Sequence, residues 1–523
     1  MKLSPSTRRW LAGLGVAGAF VAASAAPAAA ESTAKLYVLL PDTTVAVGSA
    51  GVVKGPLLLA EEATTLRDVS IRYDYRALSG KVTVTGDDPG NDCSAPETGV
   101  LVCQEPFPVT VDEWFGGFPT RVKIAPTEAA KLDDSGNMKI TVLTGDTVRA
   151  TSTSRIRVGE GVDLAAGPST DVTVDITKNF GNFSAPVTVS NVGGTTVKSV
   201  VALFAQDWAI TPADRWSNCY YEEDILLACQ FDEEIAPGET RSATFNYSLR
   251  PDTYAPGRVF GQTEFITPDD LDDALSIFEK FDGKAAKRGT GAKLALKKAP
   301  AARAAQTDVD PTNNFTQLNV NVRGKRGADL AAVGATLRGT KGSTVKADLG
   351  FRNNGPATLD FSHSDSEVTL VDVTVPTGTT AVTVPEECVP FKGDKTRYDE
   401  TAGTPGAAAY RCFPGPFAPA GELLTGRFTF RIDKAVPNAE GSVRINAKCE
   451  CSAGFKDDLK PANDLAKIVV NPAGTGGQGG GDDPTLPLTG SATGLIAGLG
   501  ALLLAAGAGG YVVARRRRTR FVA

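Results

Sequence analysis

The chain has one histidine, His363, and two methionines in 523 residues. A single imidazole excludes His-rich metal centres, and any Ser-His-Asp arrangement would have to be built on that one side chain. No C-x-x-C pair, glycine-rich phosphate loop or G-x-S-x-G elbow occurs. These absences argue against structural zinc, nucleotide binding and the common serine hydrolases. Basic charge is short as well: 54 Lys and Arg stand against 60 Asp and Glu, a net charge of −6. An acidic chain is ill-suited to nucleic acid or anionic lipid, so neither is expected as the main partner.

Two stretches at the ends are the exception to a mostly mixed composition. Near the start, Lys2, Arg8 and Arg9 precede an apolar run over 10–23, and Ala28-Ala29-Ala30 then leads into Glu31. That order predicts a signal peptide over 1–30, cut between Ala30 and Glu31. Near the other end, Leu486-Pro487-Leu488-Thr489-Gly490 is followed by 24 uncharged residues over 491–514, and then by Arg515, Arg516, Arg517, Arg518 and Arg520. The uncharged run is long enough to cross a hydrocarbon core of roughly 30 Å as a transmembrane helix. The arginines would hold its far side in the cytoplasm.

Taken together, 486–523 resemble the sorting signal of LPxTG sortase-anchored Gram-positive cell-wall surface proteins. The resemblance implies that a sortase cuts between Thr489 and Gly490 and joins the Thr489 carboxyl to peptidoglycan. Leu486, Pro487 and Leu488 complete the recognition motif. Pro487 fixes its own φ and biases Leu486 towards extended backbone, which suits an enzyme cleft. The membrane would be a partner only through the helix before processing, and the expected location is the cell wall. Removing both signals takes away three basic residues and then five, with no acid, and the net charge falls to −14. An uncut, single-span membrane protein is the competing reading.

Eight cysteines lie in the exported part, and an even count in an exported chain suggests disulfides. Cys93/Cys103 and Cys219/Cys229 share one spacing, which suggests a local bridge in each of two repeats, and Cys388/Cys412 would be the third. Cys449 and Cys451 stay open: free, bridged to each other, or exchanged with Cys388 and Cys412.

The repeats extend beyond cysteine. Gly161-Val162-Asp163-Leu164-Ala165-Ala166 returns as Gly327-Ala328-Asp329-Leu330-Ala331-Ala332, and Asn191-Val192-Gly193-Gly194 as Asn353-Asn354-Gly355-Pro356. After the second cysteine, Phe245, Tyr247 and Leu249 are answered by Phe428, Phe430 and Ile432. The alternation and frequent turn residues predict an all-β chain of tandem antiparallel sandwiches. We expect a diverged first unit over 31–158, a second over 159–325, a third over 326–472 and a Gly-rich spacer over 473–485. The landmarks, including Asp310-Pro311-Thr312-Asn313-Asn314, resemble the immunoglobulin-like repeats of bacterial surface proteins. One insertion, 267–306, breaks the pattern. Thr267-Pro268-Asp269-Asp270 reads as a helix start, and the Lys- and Ala-rich stretch from Lys284 to Gln306 reads as a mobile loop.

No catalytic residue is expected, and the chain is read as a non-enzyme with a structural or adhesive role. The Glu222-Glu223-Asp224 cluster reads as solvated acid; a surface hydrolase would need a cleft with converging carboxylates. For an adhesin, the aromatic loops Arg215-Trp216-Ser217-Asn218-Cys219-Tyr220-Tyr221 and Trp114-Phe115-Gly116-Gly117-Phe118 have a composition suited to recognition. No cofactor is expected beyond calcium, for which Asp87 to Asp92 and Asp308-Val309-Asp310 offer oxygens without EF-hand spacing.

Overall fold

The computed structural model describes residues 34–472 apart from 88–91, 112–118, 179–180, 277–286, 296–304, 363, 365, 393–394, 397–401 and 448–454. The signal peptide, the spacer, the sorting motif with its apolar run, Cys449, Cys451, His363 and the loop from Trp114 to Phe118 lie outside the described residues. Among those described, no helix is long and apolar enough to cross a membrane.

The chain is all-β because its strands alternate at period two and each has a core to face. Along Thr240–Leu249 the buried positions are Ala243, Phe245, Tyr247 and Leu249. Phe428, Phe430 and Ile432 take the same places along Leu423–Ile432. Buried apolar residues gather into three large cores, spanning Leu36 to Val158, Val162 to Val322, and Ala328 to Val470. Each buried Phe, Leu or Ile contributes about 1.5–3 kcal/mol.

The second and third cores are enclosed by the same pair of sheets. In the second, a small sheet runs Leu164–Ala166, Asn182–Asn191, Thr240–Leu249, Ile210–Pro212. The large sheet runs Thr170–Asp175, Phe315–Arg326, Ala255–Ile266, Val200–Gln206, Ile225–Phe231, Cys219–Glu222, Lys287–Arg288. In the third, the small sheet is Leu330–Val333, Thr344–Asn353, Leu423–Ile432, Thr379–Thr383, and the large one opens with Ala335–Leu337 beside Leu465–Val470. In both, the opening strand switches sheets and pairs in parallel with the last strand (Val172 opposite Val320, Thr336 opposite Val469). This is an immunoglobulin-like sandwich.

The first sandwich keeps the plan. Thr43–Ala46 pairs in parallel with the last strand, Val45 opposite Val158, but its smaller sheet is split into Leu36–Leu39 with Leu57–Ala60, and Val52–Lys54 with Val122–Pro126 and Val82–Gly86.

A buried asparagine locks the same corner in the later sandwiches. The Asn191 Nδ2 donates to the carbonyls of Thr195 (2.8 Å) and Ile235 (2.9 Å), and its Oδ1 accepts the Gly193 amide at 3.1 Å. Asn353 does the same with Ala357 (2.8 Å), Ala418 (2.9 Å) and Gly355 (3.1 Å). Gly355 is required by close approach: a Cβ there would overlap the Asp329 amide nitrogen.

The strand Thr147–Val162 runs without a break from the first sandwich to the threshold of the second. Its last three residues pair in parallel with Gln306–Asp308, which belongs to the long connection between the final two strands of the second sandwich. That connection also carries helix α1, Pro268–Leu275, opened by Thr267 accepting the Asp270 amide at 3.1 Å, with proline in the first turn.

Candidate functional site

The cysteine hairpin follows the same strand in every sandwich and forms the outer part of the large sheet. Cys93–Cys103, Cys219–Cys229 and Cys388–Cys412 are each bridged between directly opposed residues of adjacent strands. Cys103, Cys219, Cys229 and Cys388 are fully buried, so these bridges are parts of the cores.

The aromatic loop at 215–221 lies on that hairpin in the second sandwich. Tyr221 is buried, and Trp216 packs against the core. The Tyr221 hydroxyl accepts the Trp216 amide at 2.9 Å, and Arg215 lies over the Tyr221 ring at 4.7 Å. Tyr220 packs on the outer face of the sheet against Val201, Leu203 and Ala228, with Arg288 over its ring at 5.2 Å. Its rings and cations are engaged with one another: Tyr221 is buried, Trp216, Tyr220 and Arg215 are half-buried, and Arg288 is exposed. Glu222, Glu223 and Asp224 share the hairpin turn, where Asp224 pairs with Arg250 at 2.7 Å and the Glu223 carbonyl accepts from Arg215.

The described parts of the basic stretch, 287–295 and 305–306, differ from the mobile loop that its composition suggested. Lys287 and Arg288 form an edge strand opposite Tyr221 and Tyr220, the Leu294 amide donates to Asn218 at 2.8 Å, and Gln306 is buried. Paired backbone and a buried amide side chain outweigh the Lys- and Ala-rich composition there.

Asp308-Val309-Asp310, a calcium candidate in the sequence, ties the end of the long connection to the start of its own sandwich. Asp308 accepts the Leu164 amide at 2.7 Å and the Asp310 amide at 2.8 Å, one on each oxygen, and Asn313 donates to Asp163 at 3.2 Å. The third sandwich repeats the device, with Asp458 accepting the Leu330 (2.8 Å) and Lys460 (2.7 Å) amides and Asn463 donating to Asp329 at 2.8 Å. Of the other candidate, Asp87 pairs with Arg121 at 2.6 Å. Among the described residues, no group of three or more acidic, Cys or His side chains is arranged to hold a metal.

The contacts between successive sandwiches had no signal in the sequence. Between the second and third, the Trp208 ring meets Phe417 edge-on at 5.6 Å with the Arg250 guanidinium over it at 4.5 Å, and its amide donates to Asp360 at 3.3 Å. Burial pushes the neighbouring Asp207 carboxyl up to about 7, and the Asp360 charge adds to this. Asp252 accepts the Thr358 hydroxyl at 2.6 Å, and Tyr254 meets Phe455 at 5.8 Å. Lone residues at strand ends carry no periodicity to single them out.

One family model matches the chain, the LPXTG cell wall anchor motif, over residues 481–519. No curated protein matches it significantly. Solved structures with some likeness include a cohesin module from a Clostridium perfringens family 33 glycoside hydrolase, at 15% identity, covering 24% of this chain and 99% of that one with a TM-score of 0.18. Another is the BSP domain of a biofilm-associated protein, at 8% identity, 85% and 83% coverage and a TM-score of 0.17. A third is a titin I67–I69 fragment, at 8% identity, 84% and 99% coverage and a TM-score of 0.13. Likenesses at that level carry no argument, and the fold rests on the chain's own sheet order. The matched motif spans the LPLTG pentapeptide, the apolar run and the start of the arginine cluster, and it marks the chain as a sortase-anchored protein of the Gram-positive cell-wall surface.

Proposed function

We propose that the protein is a covalently wall-attached stalk of three sandwiches with a structural or adhesive, non-catalytic role, cut and joined to peptidoglycan at Thr489. The anchor motif over 481–519 carries this reading. The junctions support a stalk, because Trp208 with Phe417 and Gln306–Asp308 with the strand ending at Val162 hold neighbouring sandwiches together. A ligand-specific adhesin is favoured by a different observation. Phe107, between Pro106 and Pro108 in the first sandwich, is 78% exposed, whereas at 215–221 Tyr221 is buried and Trp216 and Tyr220 are half-buried. The Gly-rich spacer over 473–485 is only 13 residues long, so the third sandwich would sit close to its attachment point and the first would stand furthest out.

The test is the C-terminal mass of the protein released from purified walls by a muralytic enzyme. A chain ending at Thr489 and carrying a peptidoglycan fragment is expected, and Thr489→Ala should leave it in the membrane fraction. A wild-type chain that keeps the residues beyond Gly490 and is confined to membranes would refute attachment.

A further inference from the structure

Where the second sandwich grips the first, acidic side chains crowd together with few cations. Helix α1 contributes Asp269, Asp270, Asp272 and Asp273. The strand Gln306–Asp308 contributes Asp308, and the strand Ala255–Ile266 beneath the helix contributes Glu264. The first sandwich brings Glu160, Lys54 and Arg157, and the adjoining loops bring Lys198, paired with Glu234 at 3.5 Å. Arg157 is taken up by Asp273 at 2.6 Å and Asp269 at 3.5 Å, so among the described residues Lys54 is left to balance the rest.

The contacts that hold the two sandwiches together pass through these carboxyls. Asp273 accepts the Thr44 hydroxyl of the first sandwich at 2.7 Å. Asp270 accepts the Thr307 hydroxyl at 2.7 Å and the Asp308 amide at 3.1 Å, fixing the strand that completes the first sandwich's sheet. Across that pairing the Glu160 amide donates to the Ala305 carbonyl at 2.9 Å, and the Val309 amide to the Val162 carbonyl at 2.9 Å. Glu264 is 7% exposed, and among the described residues no hydrogen bond reaches its carboxyl. An ionised carboxylate in that position is costly twice over, for lost hydration and for repulsion by its acidic neighbours.

We propose that this junction is a proton-operated joint: with Glu264, Asp270 and Asp308 neutral the second sandwich clasps the first, and their ionisation loosens the clasp. Burial raises all three carboxyls, Glu264 and Asp308 to about 7, and Asp270 adds to the rise at both. A group raised in the closed state stabilises it fully below its ordinary carboxylate value and ceases to do so as the pH climbs through the raised one. The clasp is therefore tight in mild acid and weakens between about pH 4 and pH 7. A shift the size of that at Glu264 changes the closing equilibrium by about 100-fold across this window.

Hydrogen exchange of the full chain in a neutral detergent, from about pH 5 to about pH 8 and corrected for intrinsic rates, tests this. The Glu160 and Val309 amides should lose protection by about 10- to 100-fold on going up, while the Ile432 amide of the third sandwich, bonded to Ser343, should not change. Glu264→Gln keeps the shape, removes a titrating group and breaks no hydrogen bond, and it should recover much of the protection at the upper pH. Equal thermal midpoints in mild acid would establish that the variant folds. Protection at Glu160 and Val309 that is indifferent to pH, or a pH profile identical in wild type and Glu264→Gln, would overturn the proposal.

Discussion

Replacing Asn353 by alanine isolates the contribution of the buried corner in the third sandwich. The side chain is fully buried and makes three hydrogen bonds, all to backbone groups. Truncation would strand the carbonyls of Ala357 and Ala418 and the amide of Gly355. A buried polar group left without its partner costs about 1–3 kcal/mol. Water entering the small space left behind would satisfy part of the loss, so a destabilisation of about 3–5 kcal/mol is expected for the whole change. Asn354, next in the chain and exposed, provides the control, and its alanine variant should lie within about 0.5 kcal/mol of wild type. Denaturant titration of the full chain, read by hydrogen exchange in Thr344–Asn353 and Leu423–Ile432, reports on the right sandwich. Asn191→Ala should cost the second sandwich a similar amount, since it breaks the same three bonds. A loss below about 1 kcal/mol at Asn353 would refute the reasoning, because the stranded groups would then have found other partners at no cost.

Two more expectations rest on buried charge. Arg411 is 2% exposed, holds Asp372 through two bonds at 2.7 and 2.9 Å, and lies 4.0 Å from the Phe391 ring centre. Asp372→Ala should cost about 3–5 kcal/mol by taking both of these bonds from a buried guanidinium, while Asp372→Leu with Arg411→Met should lose far less in the same denaturant titration. Asp207, at the junction of the second and third sandwiches, has its carboxyl raised to about 7. The stability it contributes is present below its ordinary value near 3.8 and is lost as the pH rises through the raised one. The thermal midpoint of Asp207→Asn should therefore vary less between about pH 4 and pH 8 than that of wild type, and parallel curves would contradict this.

Much of this architecture was legible in the residues. The cysteine spacing marked the hairpins, the alternation at Phe245, Tyr247 and Leu249 marked a strand that faces a core, and Thr267-Pro268 marked the only α-helix among the described residues. What escaped was long-range or two-residue in scale. Lys287 and Arg288 are ordinary loop residues until the Tyr220 strand offers an open edge to pair with. Asn191 and Asn353 carry the signature of a turn, and their burial follows only when a second loop closes over them. Glu264 sits where an alternating strand allows any residue on its outer face, and only the docking of α1 encloses it.

The strand Gln306–Asp308 has a consequence for how such a chain changes over time. Tandem repeats are often pictured as beads, gained or lost by recombination at the string between them. Here, a deletion of the second bead from Asp163 onward would also remove the strand that Glu160–Val162 pairs with, and a new bead inserted after Val162 would part that segment from its partner, while one inserted after residue 158 would divide Thr147–Val162 itself. The first two repeats are thereby bound to be inherited together, and length variation in relatives of this chain should fall on the side of the third.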